Sequence, residues 1–346
     1  MVAAVIAGLG SAVPTAVSQE QLWEGFFADH YRSSPVAERL WGRAGVDTRH
    51  GVAIPWKEDV SGWGTAARLE RFVEEAVPLG RDALAACLDD AGLASDEVDA
   101  LTVATCTGYA TPGLDILLAR ELGLRPETQR LHVGHMGCYA ALPALATLSD
   151  AAAARKMTGL LLCLELSSLH VQEDSHEVDQ IIAHSLFADA AAAVAVRPIG
   201  PGLEVVDVAV HTDIESSGLM TWDVTDHGFR MGLGQEVPRV LERHVGPLVG
   251  SLLARHDLAP ADVAGWAIHP GGPRILEAMA APLGIGAEDV EVSRSVLRDY
   301  GNCSSPTVLL ALQRLLEQRA PHDGDPVVCL AFGPGLTIYA ALLRQG

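Results

Sequence analysis

Three short segments carry side chains that could act together on a thioester: a cysteine, a histidine and an asparagine. Cys138 follows a glycine and precedes an Ala/Leu-rich segment with the pattern of a helix. His269 opens the sequence His-Pro-Gly-Gly-Pro, and Asn302 lies in Gly-Asn-Cys-Ser-Ser. A thiolate accepts an acyl group from a thioester, an imidazole pairs with the thiolate and polarises a carbonyl, and an amide donates to an enolate oxygen. These residue types suit decarboxylation of a malonyl thioester followed by carbon–carbon bond formation.

Each of the three residues has an ordinary structural explanation when it is taken alone. A lone cysteine is most often a small buried hydrophobe, a histidine can cap a turn, and Gly-Asn before a helix is a common turn and N-cap. Their positions favour chemistry instead. Cys138 precedes a helix, whose positive N-terminal end favours a thiolate. His269 follows a predicted strand over residues 263–268, at the strand end where α/β folds place ligands.

The elements that must position these residues follow an α/β pattern, because helix-like and strand-like segments alternate along the chain. The order also repeats. The segment around Val98 resembles the one around Val263, and the same offset of 165 residues places Cys138 on Cys303. Such coincidences occur in α/β proteins, but two matches at one offset favour a duplication. We predict two similar halves, residues 1–200 with the cysteine and residues 201–346 with the histidine and asparagine, joined at a turn-rich segment near residues 198–204.

Composition limits the kind of partner. The chain has 346 residues, of which 49% are hydrophobic, and a formal net charge of −20. This acidity argues against nucleic acid and anionic membranes, and an anionic substrate such as coenzyme A would need a local basic patch. We expect no membrane span and no signal peptide, because no run of about 18 apolar residues and no basic leader occur. Six cysteines without a Cys-x-x-Cys pair indicate a reduced, cytoplasmic protein without structural zinc.

Further motifs resemble those of type III polyketide synthases, the chalcone synthase-like branch of the thiolase superfamily. Residues 331–337, Ala-Phe-Gly-Pro-Gly-Leu-Thr, resemble the family's C-terminal Gly-Phe-Gly-Pro-Gly-Leu-Thr signature. Residues 186–192 resemble its Leu-Phe-Gly-Asp-Gly-Ala-Ala segment, and residues 105–113 resemble Thr-Thr-Ser-Gly-x-x-x-Pro-Gly. The resemblance covers essentially the whole chain. It implies a homodimer of duplicated thiolase-like βαβαβ halves in a five-layered αβαβα architecture.

The resemblance also implies residue roles by position. Cys138 would carry the acyl group, while His269 and Asn302 would assist decarboxylation and stabilise the enolate. Phe187 matches a gatekeeper between the coenzyme A tunnel and the cavity, although a core aromatic would look the same. Arg39 and Arg43 match basic residues that bind coenzyme A phosphates, and their spacing predicts one helical face; a solvated helix face is the alternative.

Several other residues match positions that line the family's elongation cavity, and each could equally be ordinary packing: Cys106, Ser167, His170 and Ser304. Cys106 stands where plant enzymes have threonine, and it could shape the cavity or hold a reactive intermediate. Thr111 replaces a larger residue that in relatives reaches into the partner subunit's cavity.

The sequence therefore predicts an acyltransferase that loads an acyl-CoA starter and extends it with malonyl-CoA. Cyclisation to a pyrone or a phenolic ring would follow, with no metal or organic cofactor. The alternative enzyme is a ketoacyl synthase III-like protein that performs one condensation or an acyl transfer with an acyl carrier protein. The Gly-Pro-Gly loop at residues 333–335 and the segment around Phe187 weigh against it. A non-catalytic binding protein would not need the complete Cys-His-Asn set.

Overall fold

The computed structural model describes residues 4–172 and 177–346. Its strands are β1 (Val5–Ala12), β2 (Thr15–Ser18), β3 (Thr48–Gly51), β4 (Ala100–Thr105), β5 (Gln129–Gly134), β6 (Gly159–Leu166), β7 (Asp189–Arg197), β8 (Leu203–Thr212), β9 (Met220–Thr225), β10 (Gly228–Leu233), β11 (Gly265–Ile268), β12 (Pro326–Gly333) and β13 (Thr337–Gln345). Its helices are α1 (Gln19–Leu22), α2 (Ala28–His30), α3 (Pro35–Trp41), α4 (Thr65–Ala91), α5 (Leu114–Glu121), α6 (Ala141–Arg155), α7 (Val178–Leu186), α8 (Val237–Ala254), α9 (Pro273–Leu283), α10 (Ala287–Tyr300) and α11 (Pro306–Arg319). A π-helical turn, Trp23–Phe27, joins α1 to α2.

Nine strands form one mixed sheet in the order β11-β12-β13-β8-β1-β7-β6-β4-β5. The two halves contain the same ladder. In the first half β4 runs parallel to β6, which is antiparallel to β7; in the second half β11 runs parallel to β12, which is antiparallel to β13. The halves meet at β1, which pairs along most of β7 but pairs with β8 at Val5 and Ile6.

The two halves of this sheet form separate layers on either side of two central helices, and outer helices cover each half. The cores that the strand residues face show these five layers. Cys163 of β6 and Cys329 of β12 both face a central core that also contains residues of α6 and α11. Leu162 of β6 faces an outer core with α4, and Leu330 of β12 faces the other outer core with α8 and α9. Both β6 and β12 are apolar on both faces because helices cover each side. The predicted αβαβα architecture of a thiolase-like fold is confirmed.

The internal repeat reappears in the element boundaries. Short 3₁₀ turns, Ser95–Glu97 and Pro260–Asp262, precede β4 and β11 at the same offset. Helices α6 and α11 likewise begin at equivalent positions, three residues after Cys138 and Cys303. The second half is shorter at its edge: β4 is flanked by β5, whereas β11 ends its side of the sheet. None of the helices in the described residues is sufficiently long and apolar to traverse a bilayer.

Candidate active site

The backbone of the nucleophile candidate is held by the C-terminal half of the chain. Cys138 lies in the 3₁₀ turn Gly137–Tyr139, directly before α6. Gly137 has φ +71°, and a Cβ there would lie 2.6 Å from Cδ of Pro334. A Cβ on Gly333 would lie 3.1 Å from the Cys138 nitrogen. The Gly-Pro-Gly loop therefore packs against the cysteine turn, which explains why both segments need glycine.

Cys138 is a neutral thiol in this structure. Burial raises its pKa to about 12, and the Ser304 side chain, within hydrogen-bonding reach, offsets only part of the rise. Glu165 raises the pKa further. Desolvation therefore outweighs the helix N-terminus that was expected to favour a thiolate. A reaction at this sulfur would therefore need a base to take its proton.

His269 follows β11 at the predicted strand end, and its backbone is fixed on both sides. Its N–H donates to the Leu330 carbonyl (2.7 Å), and its own carbonyl accepts from the Gly271 N–H (3.0 Å). The ring meets Phe332 edge to face, with centroids 5.3 Å apart. Burial lowers the His269 pKa to about 3, so the imidazole is neutral. Its buried Nδ1 has no hydrogen-bond partner among the described residues, which leaves it for a substrate or a proton.

The amide of Asn302 has a defined orientation. Its Oδ1 accepts the Ser304 N–H at 2.9 Å, so Nδ2 must point the other way. The acceptor recorded there is the Gly271 carbonyl at 3.5 Å, which is at the outer limit for a hydrogen bond. The amide donors therefore remain for a ligand oxygen. Gly271 belongs to the loop of His269, so the two side chains approach the same space.

One cavity of about 1080 Å³ brings these side chains together. Cys138, His269, Asn302 and Phe187 all line it, together with Phe332. The structure thus brings Cys138 into one cavity with His269 and Asn302, which follow it in the chain by 131 and 164 positions. An acyl group on Cys138 would lie beside both the imidazole and the amide.

Exposed arginines stand at the mouth of this cavity, but not as the spacing predicted. Arg43 lines it; however, it follows Gly42, the C-cap of α3, and so lies beyond the helix. Arg39 is in the last turn of α3 and is not among the lining residues. The prediction of one helical face is therefore wrong. Arg274, in the first turn of α9, also lines the mouth; its signal in the sequence was its place directly after the His-Pro-Gly-Gly-Pro loop.

A second cavity of about 60 Å³ lies on the other side of Phe187. Ser167 and His170 line it, as do residues of the hairpin formed by β9 and β10. Phe187 and Met231 line both cavities and so separate them. Residues 222–231 resemble a cavity-lining segment of the family, but the sequence does not fix the register that places Met231 beside Phe187.

His170 shapes this smaller cavity by its volume rather than by hydrogen bonding. Its Nε2 pairs with the Thr107 carbonyl (2.7 Å), and its Nδ1 accepts the Phe229 N–H (3.1 Å). The ring stacks on Phe229 with centroids 4.7 Å apart. Burial lowers the His170 pKa to about 4. The indole of Trp222 donates to the Cys106 carbonyl at 2.8 Å and closes the same wall.

Cys106 and Ser304 lie next to Cys138 around a buried carboxylate, Glu165, which the sequence reasoning missed. The Cys106 sulfur is 3.4 Å from Glu165 Oε1 and 3.8 Å from Ser304 Oγ. Burial raises the pKa of Glu165, and burial together with Glu165 holds the Cys106 pKa well above its usual value. The signal was a single glutamate in an otherwise apolar strand, β6.

Thr111 lies elsewhere in the subunit. It lines a third cavity, of about 230 Å³, together with Tyr109 and Asp115. Its role at the partner's cavity remains a prediction. Within residues 4–172 and 177–346, no group of three or more His, Cys, Asp or Glu side chains is arranged to hold a metal ion.

The layered fold and the Cys-His-Asn cavity define a condensing acyltransferase of the thiolase-like class. Residues 56–200 match the N-terminal domain of chalcone and stilbene synthases, and residues 206–345 match the C-terminal domain. The chain belongs to this family, the type III polyketide synthases. The predicted family and acyltransferase activity are confirmed, and the ketoacyl synthase III-like alternative is not supported.

Known relatives make different polyketides. The chain is 33% identical to a 3,5-dihydroxyphenylacetyl-CoA synthase of Amycolatopsis orientalis, over 98% of this chain and 92% of that protein. It is 31% identical to an alpha-pyrone synthesis polyketide synthase-like protein of Mycobacterium tuberculosis, over 98% and 90%. The crystal structure of 1,3,6,8-tetrahydroxynaphthalene synthase from Streptomyces coelicolor superposes with a TM-score of 0.93 at 28% identity, over 99% of both chains.

Proposed function

We propose that this enzyme loads an acyl group from an acyl-CoA onto Cys138 and extends it with units from malonyl-CoA. One observation carries the proposal: the Asn302 amide is anchored through its oxygen, and its donors remain for a ligand in the cavity that holds Cys138 and His269. An amide held in this way suits an oxygen that gains charge during the reaction.

Loading begins with proton transfer, because the thiol and the imidazole are both neutral. His269 takes the Cys138 proton as sulfur attacks the thioester carbonyl of the starter. The carbon–sulfur bond to coenzyme A breaks, and the imidazolium returns the proton to the leaving thiolate. His269 is then neutral again beside an acylated cysteine.

Extension follows in the same cavity. The bond between the malonyl carbon and its carboxylate breaks, carbon dioxide leaves, and the electron pair forms an enolate on the thioester. The Asn302 amide and the N–H of His269 stabilise the enolate oxygen. The enolate carbon then attacks the acyl group on Cys138, and the carbon–sulfur bond to Cys138 breaks. The extended chain is now a thioester of coenzyme A, and the freed Cys138 thiolate takes it back with release of coenzyme A before the next extension. No metal or organic cofactor is required for these steps.

Two features would select the substrates: the arginines at the mouth of the large cavity and the small cavity beyond Phe187. Arg43 and Arg274 at the mouth, with Arg39 nearby, would attract coenzyme A phosphates despite the acidic chain. The small inner cavity beyond Phe187 favours a short polyketide that cyclises to a pyrone or a phenolic ring, the product types named for the relatives.

The test is to incubate the pure enzyme with a panel of acyl-CoA starters and malonyl-CoA and to identify products by mass spectrometry. We expect products of more than one condensation without any carrier protein. A single-condensation product that forms only with acyl carrier protein would refute the proposal. Activity should also survive dialysis against a chelator.

We also propose a homodimer joined at β5. This strand ends its side of the sheet, its residues are largely exposed, and Leu131 is 44% exposed. An open strand edge is a template for pairing with another chain. Light scattering should give the mass of two chains, and the variant Leu131→Arg should shift it toward one; a wild-type monomer would contradict this.

The six buried free cysteines support a reducing compartment such as the cytoplasm.

A further inference from the structure

The C-terminal end of α7 presents Phe187 to the cavity, and its last carbonyl groups need partners from outside the helix. These partners come from distant parts of the chain. They are Arg49 Nη1 for the carbonyls of His184 (2.5 Å) and Phe187 (3.0 Å), Gln19 Nε2 for Ser185 (2.8 Å), and the Asn302 N–H for Leu186 (2.8 Å). The helix end is therefore capped by one cation, one side-chain amide and the backbone of Asn302 itself.

Arg49 is the charged member of this cap. It is 6% exposed, and its guanidinium carbon lies 5.0 Å from the ring centre of Trp41. Burial lowers its pKa to about 9, with the nearby Asp189 opposing the shift, so the group remains positively charged at neutral pH. A cation at a helix C-terminus is stabilised by the partial negative charge of the last carbonyls.

The same side chain also touches the segment of Asn302. A Cβ on Gly301 would lie 3.1 Å from Arg49 Cγ and 2.9 Å from the Leu186 carbonyl oxygen, and Gly301 has φ +77°. The Arg49 stem therefore passes directly over the glycine before Asn302. The backbone pairing between the segment of Asn302 and the end of α7 continues past Phe187, where the Ala188 N–H donates to the Asn302 carbonyl at 2.9 Å.

We propose that Arg49 is a positioning residue that holds Phe187 and Asn302 in register across the two halves of the chain. Arg49 lines the small inner cavity and is not among the residues that line the large one. It acts through the carbonyl of Phe187 and the backbone of Gly301. The proposal rests on the proposed function, because it assigns Asn302 to decarboxylation.

The geometry predicts which property of Arg49 matters. Only Nη1 donates to the helix end, while Nε and Nη2 have no hydrogen-bond partner in the part of the chain that the structure describes. A single cationic donor is therefore sufficient, and lysine should recover much of the effect. Methionine keeps much of the side-chain volume but removes both the charge and the donor.

The test compares Arg49→Met and Arg49→Lys with the wild type, in kcat and KM for malonyl-CoA decarboxylation and for condensation. A misplacement of about 1 Å at a reacting centre costs about 100-fold in rate, so we expect Arg49→Met to lose about that factor in kcat for both reactions. KM for malonyl-CoA should stay within about threefold, because binding at the mouth is unchanged. Arg49→Lys should regain at least about tenfold of the loss.

Arg314→Met is the matched control. Arg314 also lies over an aromatic ring, with its guanidinium carbon 5.1 Å from the centre of Tyr300, and its side chain is 16% exposed. Its Nη1 donates to Ser295 and Asp299, away from α7. We expect Arg314→Met to lose stability while keeping kcat. The control therefore distinguishes a general loss of stability from displacement of Phe187 and Asn302.

Two outcomes would overturn the proposal: Arg49→Met with wild-type kcat, or Arg49→Lys as impaired as Arg49→Met. If Arg49→Met does not fold, Gly301→Ala perturbs the same junction from the other side, and it should lower kcat while KM holds. Failure of the proposed function is distinguishable, because then the wild type itself would neither decarboxylate malonyl-CoA nor condense it.

Discussion

Replacing Asn302 by alanine tests whether its amide serves the proposed reaction as well as the structure. The substitution removes the Nδ2 donors, and loss of one such donor to a developing oxyanion costs about 10²–10³ in rate, or about 2.7–4 kcal/mol. It also removes Oδ1, which accepts the Ser304 N–H at 2.9 Å. Asn302 is 3% exposed, so the orphaned N–H should cost about 1–3 kcal/mol of stability.

The assay is malonyl-CoA decarboxylation in a Cys138→Gln background, followed as formation of acetyl-CoA. This background lacks the thiol that carries the acyl group, so condensation does not consume the decarboxylated product. The control is Thr128→Ala, which removes the hydroxyl that donates to the Val98 carbonyl at 3.0 Å and leaves that carbonyl only the longer Arg125 contact at 3.4 Å. The control should lose stability in thermal unfolding and keep the decarboxylation rate. If Asn302→Ala decarboxylates within about threefold of its parent while its stability falls, Asn302 serves structure only and the mechanism is wrong.

Four further outcomes follow from the same geometry. Cys138→Ala should abolish condensation, and Cys138→Gln should keep decarboxylation; full condensation in either variant, measured by product mass, would refute the nucleophile role. Gly137→Ala should cost about 1–2 kcal/mol of stability for its left-handed φ, and more in kcat because the cysteine turn must move; an unchanged kcat would mean that the turn adapts freely. Arg274→Ala should raise KM for malonyl-CoA by about fivefold in low salt, and less in high salt, at constant kcat; a KM that does not move would remove this residue from phosphate binding. Because the His269 pKa is lowered to about 3, the imidazole is neutral above that pH, and decarboxylation should stay level down to about pH 5.5. With an ordinary pKa of about 6.5 the rate would instead fall about tenfold by pH 5.5.

Much of the fold was predictable because it depends on local patterns. The sequence itself repeats three features: the apolar strands β6 and β12, the turns before β4 and β11, and the helices after Cys138 and Cys303. The architecture then follows from covering both faces of apolar strands. The prediction that failed depends on the residue at which a helix ends. Helix α3 ends at Trp41, with Gly42 as its C-cap, so Arg43 leaves the helix that its spacing suggested.

The site was only partly predictable, because its properties arise between segments that are far apart in the chain. The sequence could suggest that Cys138 precedes a helix. It could not reveal that burial raises the thiol pKa by more than the helix N-terminus lowers it. Glu165 was missed for the same reason: it becomes meaningful only where it meets Cys106 and Ser305. Met231 is an ordinary strand residue until the hairpin folds against Phe187.

By itself the sequence determined which groups are available: a thiol, an imidazole and an amide, with the glycines that let their loops approach. Residue types and short spacings are written directly in the chain. The tertiary structure decided the protonation states of Cys138 and His269, the direction of the Asn302 amide and the volumes on the two sides of Phe187. The physical reason is that these depend on the exclusion of water and on through-space contacts between the two halves, and neither exists until both halves have packed around the central helices.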